Sequence, residues 1–280
     1  MGRWWGLDPE SKNIADQTPY SSMHNIPIKL SDVFGDVPTP REAAAMAAHV
    51  YGDKKDNILV GGWKMSTKDF GIKKNSSENG LKSQVYERMS KNGKMEYAYA
   101  TAGTEASSKD IGADLKQPLG LSKQYDLSMK NAAILDKKLK NRELTFVGHS
   151  LGGGEAAANA KVTGRSAITF NAAGVSVFTT SKKTTRIDAF MMVTDPLNLT
   201  QNNNLCGLGA LMPDLNGNRI PLFPTDKSSI YNGHSMDNVL KNFGFNPLKY
   251  AIPPAKVLPT PNIFERALLS VPTFTPTFNF

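Results

Sequence analysis

The chain has 280 residues, of which 40% are hydrophobic and 21% are charged, and its formal net charge is +8. This composition is typical of a globular protein and excludes a largely disordered chain. The single cysteine, Cys206, excludes an intramolecular disulfide framework and a multi-thiolate metal site. Because the chain has only four histidines, the composition also argues against a histidine-rich metal cluster, and we expect neither a metal nor a cofactor.

The sequence contains no apolar run close to the ~20 residues that span a bilayer. Its first residues, Met1–Gly6, lack the apolar stretch of a signal peptide. We therefore expect a soluble protein without an export address of its own. The basic excess favours an anionic partner, which could be nucleic acid, a phospholipid surface or an acidic protein. Most of the lysines, which are spread along the chain in pairs, are interpreted as solvated surface.

The first forty residues contain five X-Pro pairs and show no helical periodicity. Two of their motifs, GRWWGLDP at Gly2–Pro9 and PYSSMHNIPI at Pro19–Ile28, resemble the last segment of an Rhs repeat-family core. Many members of that family cut their own chain near a following DPxG turn, where this sequence has Val33 in place of the proline. The resemblance implies that residues 1–40 are an irregular remnant of a carrier core, and that residues 41–280 are the variable toxin domain behind it.

From residue 41 onward, predicted helices and strands alternate along the chain. The helices are expected at Arg41–Val50 with Thr39 as N-cap, at Lys123–Lys140, at Leu151–Val162, and after His234 through Leu240. The strands are expected at Ile58–Val60, Gln84–Met89, Met95–Thr101, Leu144–Val147, Ala167–Phe170 and Ile187–Val193. This alternation predicts an α/β domain with a mainly parallel central sheet that is flanked by helices on both faces.

The most informative motif is GHSLG at Gly148–Gly152, which matches G-x-S-x-G between a predicted strand and a predicted helix of small residues. A nucleophile on a sharp strand-to-helix turn has strained backbone geometry, so the residues two before and two after it must be small. The following helix directs free N–H groups toward charge developing on a substrate oxygen. We predict Ser150 as the nucleophile of this elbow; the alternative is a glycine-rich turn with an idle serine.

The general base follows by elimination among the four histidines. His149 is adjacent to the nucleophile, and an elbow of this kind directs neighbouring side chains apart. The order nucleophile, acid, histidine along the chain then excludes His24 and His49. His234, in the loop before the last predicted helix, is therefore the predicted base.

The orienting acid must lie between Ser150 and His234, which leaves five carboxylates: Glu155, Asp188, Asp195, Asp214 and Asp226. Active sites of open α/β sheets lie beyond the carboxyl ends of the strands. Asp195 directly follows a predicted strand and is stiffened by Pro196, so we predict Asp195 as the acid. Its alternative role is that of an ordinary turn residue.

For the oxyanion hole, we expect the N–H of Leu151 and a donor from a second loop. Gly103-Thr104 ends a predicted strand, and Thr104 offers both a backbone N–H and a hydroxyl. From spacing alone, a Thr after Gly is more often only part of a turn, so this second donor stays open at this point.

Five motifs in order resemble the class 3 lipases, which are fungal triacylglycerol lipase-like α/β-hydrolases. The matching segments are Ala102-Gly103-Thr104 with Ala113-Asp114-Leu115, then GHSLGG at Gly148–Gly153, TFNAAG at Thr169–Gly174, Asp195-Pro196-Leu197, and His234. The resemblance implies an α/β-hydrolase fold, the triad Ser150, Asp195 and His234, and Thr104 and Leu151 as oxyanion donors. Ala102 replaces the arginine usual in that family. Thr200–Ile230 has no counterpart in it and is interpreted as a segment that could cover the pocket.

These resemblances together imply a serine lipase or phospholipase A-type enzyme, acting as an antibacterial effector toxin delivered with an Rhs carrier. The implied partners are membrane phospholipid, a cognate immunity protein, and the carrier with its secretion apparatus, but no nucleic acid. The implied location is the membrane of a target cell after carrier-mediated secretion. Alternatives are a neutral-lipid lipase or acyltransferase, a catalytically vestigial module that binds lipid or the immunity protein, and a nuclease toxin that uses the basic charge.

Overall fold

A computed structural model of the chain describes residues 38–52, 59–78, 80–90, 92–103, 118–173, 185–197, 217–227, 230 and 232–245. Almost all of the carrier-like segment, residues 1–37, lies outside these residues, as do the C-terminal residues 246–280. The boundary between the two predicted units therefore stays a prediction.

Four α-helices lie within the described residues. They are α1 at Pro40–His49, α2 at Pro118–Lys138, α3 at Leu151–Thr163 and α4 at Met236–Asn242. No helix in these ranges combines the length and the apolar character needed to cross a membrane.

Seven strands form one sheet whose spatial order is the order of the chain. They are β1 at Lys64–Met65, β2 at Ser83–Met89, β3 at Met95–Thr101, β4 at Glu143–His149, β5 at Ser166–Phe170, β6 at Ile187–Met192 and β7 at Asn218–Leu222. The first three strands pair antiparallel and β3 to β7 pair parallel. The carboxyl ends of the parallel strands therefore meet at one edge of the sheet.

Helices cover both faces of the sheet, each over its own hydrophobic core. Tyr97 and Tyr99 of β3 point to the face that is covered by α2 and α3. Ala98 and Ala100 of the same strand point to the other face, which α1 and α4 cover. This period of two is what the alternating sequence of β3 predicts. The predicted α/β-hydrolase fold, with a mainly parallel sheet flanked by helices, is confirmed for the described residues.

The carboxylate of Glu42 caps the start of helix α1 and also anchors the helix to neighbouring elements. Thr39 caps the helix and accepts a hydrogen bond from the Glu42 N–H, while the Glu42 side chain accepts from the Thr39 N–H, forming a capping box. Glu42 also accepts from the indole of Trp63 and pairs with Arg88 at 2.8 Å. Arg88 in turn pairs with Glu96 at 2.6 Å and lies over the Trp63 ring. The carboxylate of Glu42 thus links α1 to β2 and to the loop before β1.

Three predicted features differ from the structure. Val60 belongs to a short 3-10 helix at Val60–Gly62 instead of a strand, because Gly61 and Gly62 adopt positive φ. Helix α2 begins at Pro118, five residues before its predicted start. Within Thr200–Ile230, residues Asn218–Leu222 form strand β7, which pairs with β6. The interpretation of Thr200–Ile230 as a pocket cover is therefore wrong for these five residues. The mixed, proline-containing sequence of β7 lacks the alternation that would predict it.

Replacing Glu42 with Ala should destabilise the fold by about 2–4 kcal/mol, because a largely buried Arg88 and the indole N–H of Trp63 lose a partner. The free energy of unfolding from urea titration is the measurement. The matched control is Asp136→Ala, which breaks the more exposed pair with Arg165 and should cost at most about 1 kcal/mol. Equal losses in the two variants would contradict the proposed anchoring of α1.

Candidate active site

Ser150 lies at the sharp junction between β4 and α3. Its backbone has φ 57° and ψ −128°, a conformation that side-chain-bearing residues rarely adopt. The junction is held by hydrogen bonds to the end of β5 and to the loop after it: the Ser150 N–H donates to the Phe170 carbonyl, and the Ala173 N–H donates to the Ser150 carbonyl. Such a conformation persists only where the surroundings enforce it, and it projects the hydroxyl above the sheet edge.

The two glycines that flank Ser150 are required by close approach of backbone. A Cβ added to Gly148 would lie 2.1 Å from the Gly152 carbonyl oxygen, and one added to Gly152 would lie 2.2 Å from the Thr101 carbonyl oxygen. Because both obstacles are backbone atoms, no side-chain movement can relieve them. The structure thus gives the spacing of the GHSLG motif its physical reason.

The structure brings the three predicted triad residues into one hydrogen-bonded series. His234 Nε2 lies 2.8 Å from Ser150 Oγ, and His234 Nδ1 lies 3.0 Å from Asp195 Oδ1. All three residues are buried, and Asp195 is entirely inaccessible to solvent. Asp195 also accepts a hydrogen bond from the Leu197 N–H, which directs its carboxylate. The geometry is that of a nucleophile, a base and an orienting acid, while their chemical roles stay predictions.

Strand register explains why residues so distant in sequence meet. His149 at the end of β4 pairs with Phe170 at the end of β5, which pairs with Phe190 of β6. Asp195 follows β6 by a short turn, and His234 precedes α4, which packs on the same side of the sheet as α1. The carboxyl edge of the sheet thereby gathers the nucleophile, the acid and the loop of the base.

The other carboxylates that the sequence left open lie elsewhere. Asp188, at the beginning of β6, pairs with Arg186 at 2.5 Å, and Asp226 pairs with Lys241 at 2.9 Å. Glu155 faces α2 from one turn into α3, near Gln124. Asp214 lies outside the described residues.

The two predicted oxyanion donors have different outcomes. Leu151 is the first residue of α3, so its N–H lies at the amino end of the helix next to Ser150, and its role as an oxyanion donor stays a prediction. Thr104 lies outside the described residues, and its role stays a prediction. The preceding Gly103 lies against the elbow, since a Cβ there would meet the Ser150 Cβ at 2.9 Å.

Two residues near the triad carry roles that the sequence reasoning missed. Asn171, with φ 43°, donates to the Gly233 carbonyl and accepts from the Met192 N–H, so it ties the loop of the base to the end of β6. Tyr51 makes hydrogen bonds with Gly103 and with the ring of His149. The only sequence signal for Asn171 is its place in the TFNAAG motif, and Tyr51 has none.

Glu155 is a buried acid directly behind the elbow. It is entirely inaccessible to solvent, and burial raises its pKa from 4.5 to about 8. Among the described residues, neither carboxylate oxygen has a partner in good hydrogen-bonding geometry. The Gln124 and Ser128 side chains oppose the shift only in part. The folded protein therefore holds Glu155 protonated at neutral pH.

Within the part of the chain that the structure describes, no cluster of three or more His, Cys, Asp or Glu side chains could hold a metal ion. The site consists of a serine, an imidazole, a carboxylate and backbone amides. These groups are sufficient for acyl transfer from an ester through a covalent intermediate.

Comparison with known proteins points to one class of enzyme. The sequence profile of a family described as "Phospholipase-like: Tle-like phospholipase domain" matches residues 42–226. A curated relative, the extracellular phospholipase A1 of Serratia liquefaciens, is 40% identical over 91 residues, which are 31% of this chain and 27% of that protein. The match thus spans about a quarter of the length of that relative.

Two lipases are among the solved structures that align with this chain. The Rhizomucor miehei lipase propeptide complex aligns with a TM-score of 0.44 and 15% identity over 68% of each chain. A triacylglycerol lipase from Penicillium expansum aligns with a TM-score of 0.43 and 13% identity, over 65% of this chain and 77% of that one.

Replacing Glu155 with Gln should stabilise the protein increasingly as the pH rises from about 4.5 to about 8. Over that range the unfolded state has lost the proton that folded Glu155 retains, so wild-type stability falls with pH by up to about 1.4 kcal/mol per unit. The difference in unfolding free energy between variant and wild type, measured across this range, tests the expectation.

The control for this pH series is Glu143→Gln, which changes an exposed carboxylate at the start of β4 and should give no comparable trend. If the difference in unfolding free energy between Glu155→Gln and wild type does not vary with pH, the pKa of Glu155 is the same in the folded protein as in the unfolded chain, and the expectation is contradicted.

Proposed function

Because the chain belongs to the family of Tle-like phospholipase domains, we propose that it hydrolyses carboxylic ester bonds of phospholipids with Ser150 as its nucleophile. The observation that carries this proposal is the buried hydrogen-bonded series that joins Ser150, at the junction of β4 and α3, to His234 and Asp195. The strained backbone presents the Ser150 hydroxyl to the imidazole of His234. The same arrangement is what nucleophilic attack on an ester requires.

In the first half of the reaction, His234 Nε2 takes the proton of Ser150 as Oγ forms a bond to the ester carbonyl carbon. The carbonyl oxygen becomes an oxyanion, which the N–H of Leu151 at the amino end of α3 stabilises together with Thr104. The tetrahedral intermediate then breaks the bond to the lysophospholipid oxygen, which takes the proton from His234. A fatty-acyl ester of Ser150 remains.

In the second half, water attacks the acyl carbon as His234 takes one of its protons. The intermediate releases the fatty acid, and the proton returns to Ser150 Oγ, so that the enzyme is regenerated. Asp195 keeps its hydrogen bond with His234 Nδ1 throughout and stabilises the imidazolium form of the base. The complete burial of its carboxylate keeps this interaction away from water.

Phospholipid is the proposed substrate class, ahead of neutral lipid. Support comes from the family description and from the Serratia relative, which is named an extracellular phospholipase A1. The net charge of +8 adds weaker support, because each basic residue near an anionic membrane surface contributes about 1 kcal/mol of attraction.

The biological role proposed is that of an antibacterial effector toxin that an Rhs carrier delivers to the membranes of a target cell. It rests on the resemblance of residues 1–40 to an Rhs core, and the extracellular relative is in keeping with action outside the producing cell. A cognate immunity protein would then protect the producer.

Production of the chain in the periplasm of a test bacterium should arrest growth if this role holds. The same level of Ser150→Ala should not, because the damage requires ester cleavage. Colony counts after induction are the measurement. If both forms arrest growth equally, the toxicity does not depend on ester cleavage, and the proposal of an enzymatic toxin is contradicted. If the wild type hydrolyses phospholipid but cells that produce it still grow, the toxin role is contradicted while the enzymatic function stands.

Ser150→Ala should abolish release of fatty acid and lysophospholipid from vesicles of defined phospholipids, with kcat lowered by at least about 10³-fold. Asp195→Asn should lower kcat by about 10³- to 10⁴-fold, because His234 loses the carboxylate that stabilises its imidazolium. Mass spectrometry of the products measures both and reports which ester position is cleaved.

Two controls match these variants. Ser166→Ala changes a half-buried serine at the amino end of β5, and Asp188→Asn changes the carboxylate at the opposite end of the strand from Asp195. Both should keep kcat within about twofold of wild type. Hydrolysis that survives Ser150→Ala would refute the mechanism. Hydrolysis of triacylglycerol without hydrolysis of phospholipid would change the proposed substrate class to neutral lipid.

A further inference from the structure

His149, which the sequence excludes as the base, has its ring packed against the base. The centroids of the His149 and His234 rings are 5.1 Å apart, and His149 is buried. Both ring nitrogens have close partners: Nδ1 lies 2.9 Å from the Tyr51 hydroxyl, and Nε2 lies 2.8 Å from the main-chain oxygen of His234. His149 therefore contacts the backbone of the base, and the mechanism above gives it no role.

The partners of His149 determine which nitrogen carries its proton. A carbonyl oxygen can only accept a hydrogen bond, so Nε2 must carry the hydrogen that it donates to His234. In a neutral imidazole Nδ1 is then an acceptor, and the Tyr51 hydroxyl must donate to it. A neutral His149 ring can satisfy both contacts in only one way, with the proton on Nε2 and none on Nδ1.

The direction of the bonds continues beyond Tyr51. The N–H of Gly103 donates to Tyr51 Oη at 2.8 Å. The hydroxyl oxygen therefore accepts from Gly103, while the hydroxyl lies 2.9 Å from His149 Nδ1 and 3.4 Å from the His149 carbonyl oxygen, of which Nδ1 is the nearer acceptor. A directional series of hydrogen bonds thus runs from Gly103 to Tyr51, then to His149, and from His149 to the carbonyl of His234. It begins in the residue before Thr104 and ends on the backbone of the base.

Neutrality of His149 matters for the proposed chemistry. His234 becomes a cation when it holds the serine proton, and a second cation at a ring separation of 5.1 Å would oppose that step. Burial, together with the nearby His234, lowers the pKa of His149 to about 3, although the hydrogen bond to the His234 carbonyl opposes the shift. An uncharged His149 can donate a hydrogen bond to the main-chain oxygen of His234 without opposing the positive charge that forms on the His234 ring.

We propose that His149 is a positioning residue: locked by Tyr51 as the neutral Nε2–H tautomer, it holds the backbone of His234 so that the base stays aligned with Ser150. This inference rests on the proposed function, because it assigns a partner to the base of that reaction. It adds a further group that orients His234. Asp195 holds the ring through Nδ1, and His149 holds the main-chain oxygen at 2.8 Å, which Asn171 Nδ2 also approaches at 3.4 Å.

Three substitutions separate the contacts of His149. His149→Phe removes both, His149→Gln can keep a side-chain N–H toward the His234 carbonyl, and Tyr51→Phe removes the group that sets the tautomer. His149→Phe should lower kcat by about 10- to 100-fold with KM nearly unchanged, because a small misplacement of a catalytic group has an effect of that size. His149→Gln should restore most of kcat.

The chain offers a matched control in a second buried histidine–tyrosine pair. His49 Nδ1 lies 2.9 Å from the Tyr86 hydroxyl, and the rings are 5.7 Å apart, nearly the geometry of His149 and Tyr51. His49 belongs to α1 and Tyr86 to β2, neither of which contributes to the triad. His49→Phe should lower stability as His149→Phe does, yet keep kcat within about twofold.

The rate at which a fluorophosphonate labels Ser150 is the first measurement, because it reports activation of the serine whatever the natural lipid is. It should fall in His149→Phe and Tyr51→Phe and recover in His149→Gln. The labelling rate of the double variant Tyr51→Phe/His149→Phe should be no more than about twofold below that of His149→Phe alone, since both residues act along one series of hydrogen bonds. A labelling rate in His149→Phe equal to that of His49→Phe would overturn the proposal.

Nitrogen-15 spectra of the imidazoles give a second measurement that needs no substrate and no variant that could misfold. The proposal expects His149 to show a protonated Nε2, an unprotonated Nδ1 and no titration between about pH 5 and about pH 8. The opposite tautomer, or a titration in that range, would overturn it. Wild type that is labelled normally but releases no lipid product would instead refute only the proposed substrate.

Discussion

The triad is built around the strained backbone of Ser150. Its positive φ is maintained by hydrogen bonds to the end of β5 and the loop after it, and by backbone contacts that leave no room for a Cβ at Gly148 or Gly152. The cost of such a conformation is on the order of 1–3 kcal/mol. The packed sheet offsets it, since β4 lies at the centre with strands on both sides and helices on both faces.

Once Ser150 is held there, parallel register brings its partners within reach. Asp195 follows β6, and His234 enters from the loop before α4, so each comes from a different element and each is held by a separate contact. Asn171 and His149 both reach the loop of the base, one through Gly233 and the other through the carbonyl of His234. The alignment of the base therefore depends on backbone hydrogen bonds as well as on the acid.

The accuracy of the sequence-based predictions followed the strength of the local pattern. Strands with clear alternation or apolar runs, such as Met95–Thr101, and the glycine-rich elbow were predicted almost to the residue. The edge strand Asn218–Leu222 was missed, because an edge strand needs little hydrophobic patterning and this one contains a proline. Val60 lies in a 3-10 helix although its β-branched side chain favours a strand, because the positive φ of the two following glycines bends the chain.

Residue chemistry and chain order predict the fold class, the turn at Ser150 and the order Ser150, Asp195, His234, because they leave few alternatives for a base and an acid. That these three groups form a hydrogen-bonded series, and that Asp188 and Asp226 form ion pairs elsewhere, is visible only in the folded chain. The folded chain likewise places Tyr51 against His149, and it buries Glu155 behind the elbow, inaccessible to solvent. The reason is physical: a side chain's partners and solvation depend on contacts between elements far apart in the chain, which local sequence patterns do not encode.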